Sequence, residues 1–414
     1  MQRDNKLLIF SFFMLNIYSW IWLVESTYGI PSIVKYSLSV FALGTIIYYK
    51  LLNPSKPSPG LLFYPFVIIF VIWSLIILVS AATRFNNLFY LQRVFAQDLF
   101  FLPYLIPIII LFTKFDLEFF NDYFYYCFIL IIPAILIQLF VILTGISIDK
   151  WSEQVNGIGI FDLGSGFLLL TAHLAKKRYI FNSALIYAVL MIFLFAQYGR
   201  RGMVTEYMLL IFFMIIFRLR SSFLNFNDRI KMYFAGLIMI ILILIFGYLI
   251  TSSFVFQRGF TKEAFEESRG VVVSNFFVDF NSTSDWIFGR GLLGTVFRAI
   301  YLENQNADFI ENGFLMLLLK GGLLYLIPFM LILLRASFLG FFSSNNDYAK
   351  AMASLLLIHV IGMFSFNVPV YSTKYILIWI FATACFTPKI RDFSNEEIYQ
   401  TLNSRLERTK VHVL

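Results

Sequence analysis

The sequence predicts an all-α, polytopic integral membrane protein, and three observations carry that prediction. Of the 414 residues, 60% are hydrophobic and only 14% are charged, whereas a soluble domain carries about 25% charged residues. Mean hydropathy is +0.80. Apolar runs long enough to cross a bilayer recur along the whole length. The 51 Phe and 23 Tyr suit lipid-facing and interfacial positions.

About twelve such segments follow one another. Residues 7–24 stand behind Arg3 and Lys6 without a small-residue cleavage site, so they read as an uncleaved first helix. Residues 33–49 and 61–82 are the second and third. The fourth, 97–113, is interrupted by Pro103 and Pro107, and the fifth covers 122–144. The sixth, 157–175, opens with Gly157-Ile-Gly159. Residues 180–198, 203–219 and 232–252 complete a block of nine helices over 1–252. One long loop, 253–312, separates it from three more helices at 313–334, 350–367 and 374–388. Residues 389–414 form a charged tail, expected to be helical. No internal repeat is visible, so an inverted-repeat transporter gains no support.

Lysine and arginine set the orientation. With the N-terminus inside, the cytoplasmic segments and tail hold nineteen of them and the short outer connections seven. Both termini are then cytoplasmic and the long loop is outside. The formal charge of +8 does not indicate nucleic-acid binding, because the basic residues are scattered through short loops with no basic domain. Cys127 and Cys385 both lie in apolar stretches and offer neither a disulfide framework nor a metal motif.

The long loop is rich in Phe, Val and Trp286, with turn signals at Asn281-Ser282-Thr283 and Gly289-Arg290-Gly291. It is too apolar for a disordered linker and should fold back on the membrane surface, partly helical. The outer face carries Arg84, Arg93, Arg200, Arg201, Arg258, Arg269, Arg290 and Arg298. Guanidinium forks suit phosphate or carboxylate oxygens, so this set is expected to hold an anionic ligand at the membrane surface, such as a lipid phosphate or pyrophosphate. The alternative is that each arginine snorkels to headgroups or pairs with one of the loop's eight carboxylates.

Glu311 and Asn312 stand where the loop enters the tenth helix. A carboxylate there is either an ordinary helix cap or an ionised base facing an outer cavity. Lys320 lies about 13 Å further along that helix. A cation at such depth needs a partner, and Glu206 or Asp98 could supply it. Gly321-Gly322 would admit another backbone closely. His173 and His359 have no companion ligands and read as interhelical hydrogen-bonding groups. No Ser-His-Asp set, Walker loop or zinc spacing occurs, which argues against an ATP-driven pump and gives a metal no support.

Several short motifs, in order, resemble the O-antigen polymerase and O-antigen ligase family. They are "VNGIGIFDLGSGFLLL" (155–170), "GRRG" (199–202), "ESRG" (267–270), "WIFGRGLLGT" (286–295) and "ENGFLMLLLKGGLLYL" (311–326). The helix count and the single large loop before the last three helices are also similar. The resemblance implies an all-helical fold similar to membrane glycosyltransferases that use lipid-linked donors. It implies an inner-membrane enzyme joining undecaprenyl-pyrophosphate-linked repeat units on the periplasmic face, without metal or other cofactor. Arg201 and Arg269 would grip the pyrophosphate, with Arg93, Arg200 and Arg290 beside them, while Glu311 and Asn312 would attend the acceptor hydroxyl. Ligases of the family commonly carry His-Asn where this chain has Glu311-Asn312, which tilts the expectation towards polymerase. A ligase remains the alternative within the class, and a transporter or lipid flippase the alternative outside it. A transporter should show broken helices at mid-membrane or repeated halves, and the sequence displays neither. The resemblance also implies a chain-length regulator as a candidate partner.

Overall fold

A computed structural model of the chain describes residues 2–28, 32–83, 101–144, 162–197, 201–220, 271–300, 303–365 and 367–411. The first block of helices is α1 (Gln2–Tyr28), α2 (Ser32–Leu52), α3 (Tyr64–Thr83), α4 (Leu102–Leu111), α5 (Leu117–Thr144), α6 (Asp162–Thr171), α7 (Arg178–Gln197) and α8 (Arg201–Arg220). The loop then forms α9 (Val271–Asp279), α10 (Thr283–Phe288) and a hairpin of β1 (Val296–Ile300) and β2 (Glu303–Ala307). Last come α11 (Gly313–Phe342), α12 (Asp347–Gly362), α13 (Thr373–Phe386), α14 (Pro388–Asp392) and α15 (Asn395–Val411). Five described helices, α3, α5, α7, α8 and α11, are long and apolar enough to cross a membrane. A helix overlaps each expected segment except 232–252, which lies outside the described residues.

The described residues are almost wholly helical, in keeping with the expected all-α class, with one short exception in the long loop. That exception is an antiparallel hairpin in which Val296 pairs with Ala307 and Ile300 with Glu303. One correction concerns the prolines of α4. Pro103 falls in the first turn, where a missing N–H costs nothing. Pro107 leaves the Pro103 carbonyl without its helical donor, and the Tyr375 hydroxyl donates to it at 2.8 Å. The helix therefore runs unbroken through both.

Aromatic stacking ties the helices together. Phe70 of α3 stacks on Tyr325 of α11 and Trp379 of α13, with ring centroids at 5.0 and 5.3 Å. In a second group Phe167 of α6 stacks on Phe381 of α13 and meets Tyr348 of α12 edge-on. Such pairs contribute about 0.5–1.5 kcal/mol each beyond area burial.

The helix ends gather at two ends of the bundle. At one, Asn5 meets Asp116, Asn121 meets Thr401, and Arg405 pairs with Asp122, so the starts of α1 and α5 and the last helix lie together. At the same end His173 contacts Asp347 at 2.8 Å, an interhelical bond as expected, and Asn395 joins them. The tail is helical and strapped down there. Ser394 and Glu397 form a capping box at the start of α15, and the two Ser394 donors hold the Glu397 carboxyl below its ordinary range. The opposite end holds the starts of α8, α11 and α13 and the described part of the long loop.

Candidate functional site

At this opposite end one turn, immediately after α12, organises three helix starts. The Gly313 N–H donates to the Met363 carbonyl at 2.9 Å. Asn312 caps α11, its Oδ1 accepting from the Leu315 N–H at 3.0 Å, while its Nδ2 donates to the Phe364 carbonyl at 3.1 Å. Gly202, in the first turn of α8, packs so close to Ser365 that a Cβ would collide with its hydroxyl. The sequence offered Glu311 as the cap; Asn312 holds that role instead, and Glu311, one residue earlier, is exposed.

Beneath the turn lies a buried polar triangle. Lys374, in the first turn of α13, donates to Glu206 Oε2 at 2.8 Å and to Asn367 Oδ1 at 2.9 Å. Asn367 Nδ2 donates in turn to Glu206 Oε1 and to the His359 carbonyl. Glu206, Asn367 and His359 are all buried. A buried ion pair repays its desolvation only when the remaining donors and acceptors are also satisfied, and Asn367 supplies both here. The triangle fixes α8, α12 and α13 to one another directly under the rim that carries Arg201 and Glu311.

Two expectations change. Lys320 does not pair with Glu206; its Nζ donates to the Gly294 carbonyl at 2.8 Å, because Glu206 sits at the level of Lys374, near the helix ends. Asp98 lies outside the described residues. His359 was expected to bond between helices, yet both ring nitrogens are buried without a hydrogen-bond partner among the described residues. Asn367, its polar neighbour, spends its amide on Glu206 and on the backbone.

The predicted site residues divide three ways. Glu311, Asn312 and the backbone of Arg201 come together around residues 363–365. Arg93, Arg200 and Arg269 lie outside the described residues. Arg290 is held elsewhere, and its donors are filled. Nη1 donates to Asp279 Oδ2 at 2.5 Å and the Thr295 carbonyl at 2.7 Å; Nη2 donates to the Asp279 carbonyl at 2.7 Å and Asp285 Oδ2 at 2.9 Å. Nε donates to the same Asp285 oxygen at 3.0 Å. A guanidinium has five donors, so Arg290 braces the loop and has none left for a ligand.

Sequence reading did not pick out Asn367 or the Glu206–Lys374 pair. The available signal was depth: each charge stands within the first turns of its own helix, at the same end. A partly open crevice adjoins the triangle through Thr373, the neighbour of Lys374, and Asn16, Tyr126, Cys127, Ser165 and Leu377 line part of it. Among the described residues no group of three His, Cys, Asp or Glu side chains could hold a metal ion. Comparison with protein-family models, with curated proteins and with solved structures finds no match.

Proposed function

We propose that the protein is a polysaccharide polymerase of the bacterial inner membrane. It joins undecaprenyl-pyrophosphate-linked repeat units on the outer face, with twelve spans and both termini cytoplasmic. The observation that carries this reading is the convergence of the Arg201 helix start and the Glu311-Asn312 entry of α11 on one turn. An arginine at one helix start and an exposed carboxylate at another, around one turn, suit transfer from a pyrophosphate leaving group. The acceptor hydroxyl oxygen attacks the anomeric carbon and the bond to pyrophosphate breaks. Glu311 takes the hydroxyl proton, and the arginines neutralise the charge growing on the leaving phosphate. Arg201 and Arg269, with Arg93 and Arg200 in support, are assigned that charge. Arg290 is not. The transfer needs no metal where arginines do this work.

A second reading has one observation in its favour. Contrary to the sequence expectation, α11 is interrupted: Gly322 has φ 63° and ψ −168° inside it. Discontinuous helices are a feature of transporters, and a flippase would use one. Here the carbonyls of Leu319, Lys320 and Gly321 accept donors from Arg290, Gly291 and Trp73, so the break is filled by the protein's own chain. Deletion of the gene separates the readings. Loss of a polymerase leaves single repeat units on the outer leaflet and no long glycan. Loss of a flippase leaves them on the cytoplasmic leaflet.

A further inference from the structure

The sequence places residues 253–312 on the outer surface, but the described part of the loop runs alongside α11. Phe276, Phe280 and Trp286 pack with Leu315, Leu318, Leu319, Leu323 and Leu326. The backbone of 289–291 enters the α11 break: Arg290 N–H donates to the Leu319 carbonyl at 2.7 Å and Gly291 N–H to the Lys320 carbonyl at 3.1 Å. Gly289 lies so close to the Gly321 and Gly322 amides that any Cβ would collide with them. From α3, Trp73 Nε1 donates to the Gly321 carbonyl at 2.7 Å, and its ring meets Phe288 at 5.6 Å.

The depth of this junction follows from two independent helices. Arg335, the cation of α11 towards the far side, is taken as the far membrane edge; its guanidinium bonds the Pro59 carbonyl and packs on Phe63. From Arg335 back to Leu323 is about 18 Å at 1.5 Å per residue, against a hydrocarbon core of about 30 Å. Trp73 lies about 14 Å along α3 from Tyr64, which adjoins the same edge. Both place residues 287–291 within the span, roughly 10–15 Å from the nearer surface.

We propose that residues 283–295 form a re-entrant segment seated in the bilayer beside α3 and α11, with Ile287 and Phe288 turned to lipid acyl chains. Both side chains are exposed, and they continue the exposed apolar face of α3 that includes Ile68, Ile72 and Ile76. Non-helical backbone is tolerated at membrane depth only where protein satisfies its polar groups. The structure supplies such partners: Gly289 N–H bonds the Asp285 carbonyl, Gly294 N–H bonds the Gly291 carbonyl, Lys320 Nζ takes the Gly294 carbonyl, and Arg290 takes the carbonyls of Thr295 and Asp279. Lys320 therefore serves as the cation that fastens the re-entrant segment. The inference rests on membrane embedding and is independent of the polymerase reading.

The test uses full-length protein in phosphatidylcholine–phosphatidylglycerol liposomes, with buried Cys127 and Cys385 replaced by Ala. Nitroxides are placed singly at Phe288→Cys, Ile72→Cys and Gln400→Cys, and collision rates with oxygen and with a water-soluble nickel chelate are measured. The ratio of oxygen to nickel collisions at position 288 should match that at 72 and exceed that at 400 several-fold. A label at Ile287→Cys should repeat the result and covers any local disturbance by the first. Nickel access at 288 and 287 equal to that at 400, with 72 still lipid-like, would overturn the re-entrant placement. Nickel access at 72 itself would overturn the membrane embedding, and this inference with it.

Discussion

Replacing Lys374 by Met strips the buried triangle of its cation and leaves the buried Glu206 carboxyl with Asn367 as its side-chain partner among the described residues. At the observed 2.8 Å separation and an effective dielectric constant of about 20, the direct attraction is about 6 kcal/mol. Much of it offsets the desolvation of two ions, so the pair adds little over an apolar replacement. Removing one partner is different, because the orphaned charge keeps its full desolvation cost, typically about 3–5 kcal/mol. Lys374→Met should therefore destabilise strongly, and Glu206→Gln should do so too. The double variant Glu206→Gln/Lys374→Met should recover most of the loss. Reversible unfolding in mixed SDS micelles measures all four corners of the cycle. A coupling of about 2 kcal/mol or more is expected for groups in one hydrogen-bonded network. If the two single losses simply add in the double variant, the triangle does not tie α8, α12 and α13 together and the reasoning fails.

Two more perturbations act on the loop. Gly322→Ala puts a Cβ against the Ile287 carbonyl at a positive φ, so it should cost at least about 1–3 kcal/mol in the same unfolding assay; a neutral result would remove the break from the native structure. Arg290→Ala leaves Asp279 and Asp285 facing each other and should raise the proteolysis rate within 271–295, with Arg290→Lys only partly restoring protection. Unchanged proteolysis in both would show that Arg290 is not the brace of the loop.

Helix placement was legible because membrane burial writes itself as long apolar runs. Asn312 was readable as a helix-entry residue for a similarly local reason: a cap acts within three residues. What escaped the sequence was each feature made by chains far apart. The Glu206–Lys374 pair joins helices separated by 168 positions, and only the relative depth of the two helices selects it over Glu206–Lys320. The break at Gly322 depends on Gly289 arriving from another segment. Pro107 leaves an unbonded carbonyl that would weaken an isolated helix, and it is tolerated because Tyr375 supplies the missing donor. The hairpin 296–307 escaped because its second strand, Glu303-Asn-Gln-Asn-Ala307, is polar and has little strand propensity.

Glu311 is the residue on which catalysis and mere helix entry part most widely. It is exposed, and the capping role belongs to Asn312, so Glu311→Gln should leave the unfolding free energy within about 0.5 kcal/mol of the native value. A lost general base costs about 10²–10⁴ in rate. The most direct measurement is the glycan ladder made by Glu311→Gln protein of matched abundance, read beside Arg201→Ala and Arg201→Lys. The expected result is an almost empty ladder for Glu311→Gln and Arg201→Ala and a partial one for Arg201→Lys. Near-normal ladders from Glu311→Gln would contradict a catalytic carboxylate at the start of α11.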